Sequence, residues 1–262
     1  MKIGYLIGCL FSILFYKFDR SRYWLKINGV IKKAVNDIIL VQILYMAVIC
    51  IITYLLADLG ESEIVDGIVL FIVIDISYTE KKILDRGCRD KRKKFYKSIS
   101  VISKSFIEGF AAPLIYIMCF GNWAGIGYFM TVMVSKDKEC TVFSFVLKIL
   151  SIIPSLAGCF ILYIIYIARC RTWRINFKGD FLHNVVNNPL LNIYIMAAYI
   201  ESVNFYYVEE REVHYLKSYG AFKGKIDDMC VKNYVSIIYG VSFVIFLLFW
   251  IVESIFKLKG WS

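Results

Sequence analysis

The composition of this 262-residue chain is that of a membrane protein rather than of a soluble domain. Hydrophobic residues make up 59% of it and its mean hydropathy is +0.63, whereas soluble domains are about 45–50% apolar. The formal net charge is +10, but the basic residues lie in short segments between apolar runs. That pattern is typical of loops facing an anionic leaflet and argues against nucleic acid as a partner. We therefore expect one integral membrane domain that comprises residues 1–262.

Two apolar runs are long enough to cross a bilayer as single helices. Residues 38–57 contain no charged side chain over 20 positions, and residues 234–252 contain none over 19. An α-helix needs roughly 20 residues to cross a hydrocarbon core of ~30 Å. The sequence therefore predicts a transmembrane helix at each run. Residues 1–18 are also apolar and lack a small-residue cleavage site, which favours a retained first helix over a removed signal peptide.

Charged segments between the apolar runs indicate which loops face the cytoplasm. Residues 19–36 mix basic and aromatic side chains, as expected of a segment lying on a membrane surface. Residues 58–63 form an acidic turn, and the chain then re-enters the membrane through residues 64–77. The segment 80–99 is strongly basic and is predicted to be a cytoplasmic loop. This alternation places the two basic segments inside and the acidic turn outside.

The second half of the chain has interrupted apolar runs. Residues 101–134 are broken by two charged residues, a proline and four glycines, which favours a kinked or re-entrant hairpin. Residues 141–168 are too long for one untilted span and contain Pro154, and residues 177–232 form a mixed polar segment expected at or outside the interface. The predicted fold is an all-α, polytopic membrane protein with kinked or re-entrant helices and interfacial segments, located in the cell membrane.

Lys104 and Glu108 are the ionisable residues of the interrupted run. They are four residues apart and would share one helix face. Two interpretations stay open. The pair lines a polar cavity, because ionisable groups at membrane depth usually face a bundle interior, or it lies near the headgroups and extends to water. Asp66 and Asp75 are nine residues apart, on roughly opposite helix faces, and so do not predict a catalytic pair.

Histidines and cysteines do not predict a metal site. The chain has two histidines, His183 and His214, each with one nearby carboxylate, and eight scattered cysteines. Neither pattern matches the spacing of zinc ligands or a disulfide framework. We therefore predict no metal site from these residues.

A segment in the middle of the chain resembles a known enzyme family. Glu108 begins a Glu-Gly-Phe-Ala-Ala-Pro-Leu-Ile-Tyr stretch, which Gly121 and a Gly-Tyr pair ending at Tyr128 follow. This order resembles the cobinamide-phosphate synthase family of cobalamin biosynthesis, whose members carry an acidic-Gly-x-x-Ala-Pro-Leu segment, a glycine turn and a following tyrosine. Further matches in the same order are Ile153-Pro154, Asp180, Asn188, Met196-Ala197-Ala198 and Tyr219-Gly220. The resemblance covers about residues 73–252.

The chain departs from that family at several polar positions. Lys104 and Ser105 stand where the family has Glu-Asn, and residues 132–135 read Val-Met-Val-Ser where it has Asn-Thr-Leu-Asp. The N-terminal His-Pro of the family is absent from residues 19–29. Two hypotheses follow. The chain is a divergent member that keeps the activity, or a catalytically silent relative acting as a membrane sensor or complex subunit.

The resemblance implies an ATP-dependent, amide-forming ligase of cobalamin biosynthesis. Such an enzyme joins aminopropanol or its phosphate to the carboxylate of adenosylcobyric acid, which gives adenosylcobinamide or its phosphate. It implies ATP with magnesium as cofactors and a corrinoid as substrate. The implied partners are the lipid bilayer, the corrinoid and other membrane proteins of the pathway, with no nucleic acid. The candidate residues are Glu108, Lys104 and Asp180 for catalysis, and Asn188, Tyr128, Lys93 and Lys94 for substrate binding.

Overall fold

The protein is all-α, as its composition and apolar runs predict. A computed structural model describes residues 2–15, 20–35, 37–58, 62–75, 91–137, 139–203, 205–208, 215–219 and 228–258. Within those residues one antiparallel hairpin, formed by β1 (Phe205–Val208) and β2 (Tyr215–Tyr219), departs from the helical architecture.

In chain order, the helices are α1 (Ile3–Leu14), α2 (Arg20–Ala34), α3 (Ile38–Asp58), α4 (Glu63–Val73), α5 (Lys91–Phe106), a π-helical segment (Ile107–Ala111), α6 (Ala112–Phe120), α7 (Asn122–Ser135), α8 (Thr141–Leu150), α9 (Ile152–Cys170), α10 (Phe181–Asn187), α11 (Leu191–Ile200) and α12 (Asp228–Leu258). The chain divides into two compact units. Unit 1 comprises Met1–Tyr78, Glu108–Leu150 and Ser242–Ser262, and unit 2 comprises Thr79–Ile107 and Ser151–Val241.

Among the described residues, four helices are long and apolar enough to cross a membrane. They are Ile38–Asp58, Phe95–Phe120, Ile152–Cys170 and Met229–Ile255. The first and the last contain the two uninterrupted apolar runs, so both predicted transmembrane helices are confirmed. Their most apolar stretches are only 11% and 17% buried within the protein, which suits helices whose apolar side chains contact lipid. The chain is a polytopic membrane protein.

Glycines allow α1 and α4 of unit 1 to cross closely. A Cβ atom on Gly4 would overlap the carbonyl group of Glu63, and one on Gly8 would overlap that of Gly67. Any larger residue at either position would therefore push the two helices apart. The apolar core of unit 1 surrounds this crossing and includes Tyr5, Leu70, Val73, Leu114, Ile117 and Phe249.

The prediction that the run 101–134 is interrupted is confirmed. The helical ladder widens to a π-helical segment at Ile107–Ala111 and resumes as α6, whose second residue is Pro113. Gly121 then adopts a φ of 91°, a left-handed conformation that favours glycine. It reverses the chain so that α7 packs beside α6. The result is a helical hairpin.

The run 141–168 is not one helix either. It divides at Ser151 into α8 and α9, so its excess length is absorbed by a break instead of by tilt. Pro154 lies in the first turn of α9, where a helix tolerates proline because that N–H has no partner within the helix. The left-handed Arg171, with a φ of 52°, ends α9.

The mixed segment 177–232 contains one apolar helix, although its average composition is polar. Helix α11 is apolar, and all ten of its residues except Tyr194 are buried in unit 2. It packs against α9. Helix α11 is therefore a core helix of unit 2 that is too short to cross a bilayer, and the interfacial or extramembranous location of residues 177–232 stays a prediction.

Candidate functional site

The acidic residue of the Ala-Pro-Leu stretch lies where the helix ladder is irregular. Glu108 is the second residue of the π-helical segment and is only 8% exposed. Next to it, the carbonyl of Gly109 accepts a hydrogen bond of 3.0 Å from the backbone N–H of Asp75. Single-turn π segments occur frequently at functional sites. Lys104, one turn earlier, is exposed, so the two predicted residues lie in different surroundings.

Tyr128, a predicted substrate-binding residue, is a core residue of unit 1. It is 2% exposed, and its ring stacks on that of Tyr116 with 5.1 Å between centroids. The Tyr116 hydroxyl in turn donates a 2.8 Å hydrogen bond to the carbonyl of Leu150. Val132, which stands where the resembling family has a polar motif, packs in the same cluster. This part of the hairpin is therefore apolar and closely packed.

Asp180 in unit 2 is held by a residue from a distant part of the chain. Its Oδ2 accepts a hydrogen bond of 2.8 Å from the hydroxyl of Tyr219, the last residue of β2. The ammonium of Lys178 lies 5.8 Å from the centroid of the Tyr219 ring, within the range of a cation–π contact. Two segments that carry the family resemblance are thus joined by a direct side-chain contact.

Asn188 lies at the opposite end of a short helix from Asp180. Asp180 precedes the first residue of α10 and Asn188 follows the last, so they are about 12 Å apart along the helix axis. The Asn188 backbone N–H donates to the carbonyl of Asn184 at 2.8 Å. Asn184 donates through its side chain to Asn192 at 3.0 Å, and both of these residues are buried. Sequence reasoning missed this buried amide pair, whose only signal is the local excess of asparagine.

Two further polar pairs in unit 2 were not predicted. Arg169 donates to Glu201 at 2.9 Å, and the Glu201 side chain is 2% exposed. The hydroxyls of Ser103 and Tyr234 lie 2.8 Å apart, and both residues are fully buried. These contacts connect α9, α11, α5 and α12 through polar groups that have their hydrogen bonds satisfied. We interpret these contacts as stabilising the packing of the helices.

A group of buried charges in unit 1 was also missed. The Lys2 ammonium lies 3.6 Å from a carboxylate oxygen of Asp66 and 3.6 Å from one of Glu253. Asn122 donates to Asp66 at 2.6 Å and accepts from the Tyr5 hydroxyl at 2.9 Å. We call these five residues the Lys2 cluster. Each of them sits at or near the end of a helix, so helix ends from four separate parts of the sequence converge here.

A second ion-pair group in unit 1 joins α2 to the loop before α8. Lys32 lies 2.5 Å from carboxylate oxygens of both Asp137 and Glu139. Asn28 donates to Asp137 at 2.7 Å and accepts from the Tyr45 hydroxyl at 2.6 Å. We call these residues the Lys32 cluster. Because α2 has no acidic residue of its own, this loop supplies the counter-charge that holds it.

The charges of the Lys32 cluster shift one another's proton affinity. Burial raises the pKa of the Asp137 carboxyl, but hydrogen bonds from Lys32 and Asn28 outweigh that effect, and the net shift is downward. The hydrogen bonds to Asp137 and Glu139 raise the pKa of the Lys32 ammonium. Both partners are therefore charged at neutral pH.

The remaining predicted residues lie in less informative positions. Lys93 and Lys94 are in the first turn of α5, and their side chains, like residues 76–90 of the predicted basic loop, lie outside the described part of the protein. His183 is exposed on α10, and His214 lies outside the described residues. Within the described residues, no three His, Cys, Asp or Glu side chains are arranged to hold a metal ion.

Comparison with known proteins identifies no relative of this chain. No protein-family model, curated protein or solved structure matches it.

Proposed function

We propose that this protein is a divergent cobinamide-phosphate synthase of the cell membrane. It would join aminopropanol, or its phosphate, to the carboxylate of adenosylcobyric acid with ATP and magnesium. The observation that carries the proposal is the hydrogen bond between Asp180 and Tyr219. These residues lie 39 positions apart, in two segments that resemble the same family. A chance resemblance would give no reason for the two segments to be in contact.

The buried glutamate supports the same proposal. Glu108 opens the acidic-Gly-x-x-Ala-Pro-Leu stretch and lies buried in a π-helical segment of a candidate membrane span. A carboxylate inside a membrane span is energetically costly, and such residues are usually retained because they serve a function. In amide formation a carboxylate of this kind would accept the proton of the attacking amine.

The groups of unit 2 have the chemistry that phosphate and magnesium require. Magnesium prefers carboxylate oxygens, which Asp180 supplies, and phosphate prefers cations, which Lys178 supplies beside Tyr219. Bound nucleotide with magnesium would supply the phosphoryl group that activates the corrinoid carboxylate. The Tyr219 hydroxyl orients Asp180, and the lysines at the start of α5, Lys93 and Lys94, would add positive charge for a phosphate.

The second candidate function is a catalytically silent relative that serves as a membrane sensor or complex subunit. The observation that favours it is the apolar packing of residues 132–134, which are all buried in α7. The family that this chain resembles has Asn-Thr-Leu-Asp in this region. Exposure of Lys104, which stands where the family has glutamate, points the same way. A scaffold can keep its packing while its site decays.

Product formation separates these two functions. The chain is expressed in a host that lacks its own synthase, and membranes are supplied with adenosylcobyric acid, aminopropanol phosphate, ATP and magnesium. The synthase proposal expects adenosylcobinamide phosphate, detected by mass spectrometry. Glu108→Gln, which removes the proposed proton acceptor, should lower the rate by at least about 100-fold, the lower end for a positioned acid–base group. Asp180→Asn, which removes the proposed magnesium ligand, should also lower the rate. Glu139→Gln, which changes an exposed carboxylate, is the matched control and should leave the rate unchanged.

The absence of product from a folded wild-type preparation would overturn the synthase proposal and favour the silent relative. The silent relative also predicts an intact synthase encoded beside this chain in the same cobalamin cluster. If product forms but Asp180→Asn has full activity, the assigned site is wrong although the reaction is right.

A further inference from the structure

Helix α2 presents two different faces. Trp24, Asn28 and Ile31 lie on one side and pack toward α3, where the Trp24 and Tyr45 rings are 5.7 Å apart. The apolar side chains of the other side are exposed: Tyr23 by 52%, Ile27 by 51% and Val30 by 69%. The helical spacing of 23, 27 and 30 puts these three on one face. The packed side fixes the helix, and the exposed side is apolar.

Lysines flank this apolar face. Lys26 and Lys33 are exposed, and at seven residues apart they lie on the same side of the helix. The Lys26 ammonium is 6.0 Å from the Tyr23 ring centroid. Helix α2 carries five basic residues and no acidic one. Exposed apolar side chains beside lysines are the pattern of a helix that lies in a membrane interface and attracts anionic headgroups.

An apolar groove lies between α3 and α8, beside the residues that hold α2 against the rest of unit 1. It has a volume of about 520 Å³, within the usual range of ligand pockets. Its lining residues include Ile39, Ile43, Met46 and Ala47 of α3 and Val142 and Phe143 of α8. Phe143 packs edge-on against Tyr45, with 6.5 Å between ring centroids, and Tyr45 holds α2 through Asn28. The groove and the cationic helix therefore share one packing cluster.

We propose that this surface binds an anionic phospholipid. An acyl chain lies in the groove between α3 and α8, and the phosphate pairs with the lysine side of α2. The charge of α2 selects the occupant, since the exposed ammonium groups of Lys26 and Lys33 favour an anionic headgroup over a zwitterionic one. Helix α3 is a candidate span that buries only 11% of its most apolar stretch in the protein, so its groove faces acyl chains. This inference is independent of the proposed enzymatic function.

The lipid preference can be measured directly. The full chain is purified in detergent, delipidated and titrated with dioleoyl phosphatidylglycerol or dioleoyl phosphatidylcholine, and bound lipid is counted by native mass spectrometry. We expect phosphatidylglycerol to bind more tightly. The double variant K26Q/K33Q should weaken it about 25-fold, or about fivefold for each lysine near the headgroups, and should leave phosphatidylcholine unchanged. The charge-preserving K26R/K33R should bind as wild type.

Two controls distinguish a specific lipid site at α2 from general electrostatic attraction between a basic protein and an anionic lipid. R171Q/R174Q removes two exposed charges of unit 2 and should leave phosphatidylglycerol binding unchanged. Ala47→Trp fills the groove and should weaken both lipids. Equal affinity of wild type for the two lipids, or equal weakening by R171Q/R174Q and K26Q/K33Q, would overturn the proposal. So would a wild-type dimer that binds no lipid and that Ala47→Trp converts to monomers, because a second copy would then occupy the groove.

Discussion

Lys2 and Lys32 each lie between two carboxylates, but in different surroundings. The Lys2 side chain is 4% exposed and lies 3.6 Å from Asp66 and from Glu253. The Lys32 side chain is 30% exposed and lies 2.5 Å from Asp137 and from Glu139. The shorter contacts thus belong to the more exposed lysine. If distance decided the energy, the Lys32 cluster would be the more important of the two.

Burial reverses that order. Water and salt screen an exposed pair, which contributes only about 0.2–1 kcal/mol. Removal of one partner from a buried pair leaves a charge without water or counter-ion, which costs about 3–5 kcal/mol. A backbone contact also holds Lys2 in place, since its carbonyl accepts a 3.1 Å hydrogen bond from the Trp250 indole. The depth of a cluster, more than the length of its contacts, decides what its loss should do.

The largest expected effect is that of Lys2→Met. The variant keeps the side-chain volume but leaves Asp66 and Glu253 buried together, and it should lower the free energy of unfolding by about 3–5 kcal/mol. Denaturant titration in detergent micelles measures it. K2M/D66N/E253Q should recover most of the loss, because the three groups are then neutral. A loss below about 1 kcal/mol for Lys2→Met would mean that the Lys2 cluster is as well solvated as the Lys32 cluster.

Asn122→Leu should have an intermediate effect. It removes the 2.6 Å hydrogen bond to Asp66 and the 2.9 Å bond from Tyr5, while Lys2 continues to neutralise the carboxylate. A hydrogen bond to a charged group contributes about 1.5–3 kcal/mol, and the same titration should show a loss in that range. Tyr5→Phe, which removes only the hydroxyl, is the smaller step and should lose about 0.5–1.5 kcal/mol. Equal losses for both variants would show that Asp66 does not depend on Asn122.

Lys32→Met should have a small effect, about 0.2–1 kcal/mol, because the cluster is partly solvated. Salt sharpens the contrast between the two lysines. Raising the ionic strength to about 1 M shortens the screening length to ~3 Å, so the difference between Lys32→Met and wild type should nearly vanish. The loss caused by Lys2→Met should persist under the same conditions, since its charges are shielded from the solvent.

Acidification should affect the Lys32 cluster through Asp137. The pKa of this carboxyl is lowered on folding, so its contribution is present above its unfolded value, about 3.9, and is lost as the pH falls through the folded pKa. The pKa of Lys32 is raised, so its contribution persists until the pH rises past about 10.4. Unfolding measured from pH 7 to 3 should show wild type converging on Asp137→Asn in the acid range. A constant difference would contradict the assignment.

The sequence predicted what depends on local pattern. Hydropathy was sufficient to predict the transmembrane helices at residues 38–57 and 234–252. Pro113 and Gly121 were sufficient to predict that the hairpin is interrupted. Helix α11 was missed because its ten residues, nine of them apolar, are averaged with polar neighbours. Its burial depends on α9, which no local pattern specifies.

The candidate sites depend on contacts between distant positions. Lys2, Asp66 and Glu253 lie in three separate parts of the sequence, and only the fold brings them together. The Asp180–Tyr219 contact could not be derived from spacing either. The family resemblance indicated the two residues, but only their order along the chain.

The smallest expected effect belongs to Gln42, a buried polar group without a charge. Its Oε1 atom is buried and has no hydrogen-bond partner within the described part of the protein. An unsatisfied buried acceptor destabilises the fold, whereas an apolar group of the same shape is neutral or stabilising. Gln42→Leu should therefore leave the unfolding free energy in lipid-free detergent unchanged or raise it by up to about 1 kcal/mol. Gln42→Glu adds a charge at the same place and should be destabilising. If Gln42→Leu instead lost as much stability as Asn122→Leu, the Gln42 amide would have a partner in the folded protein.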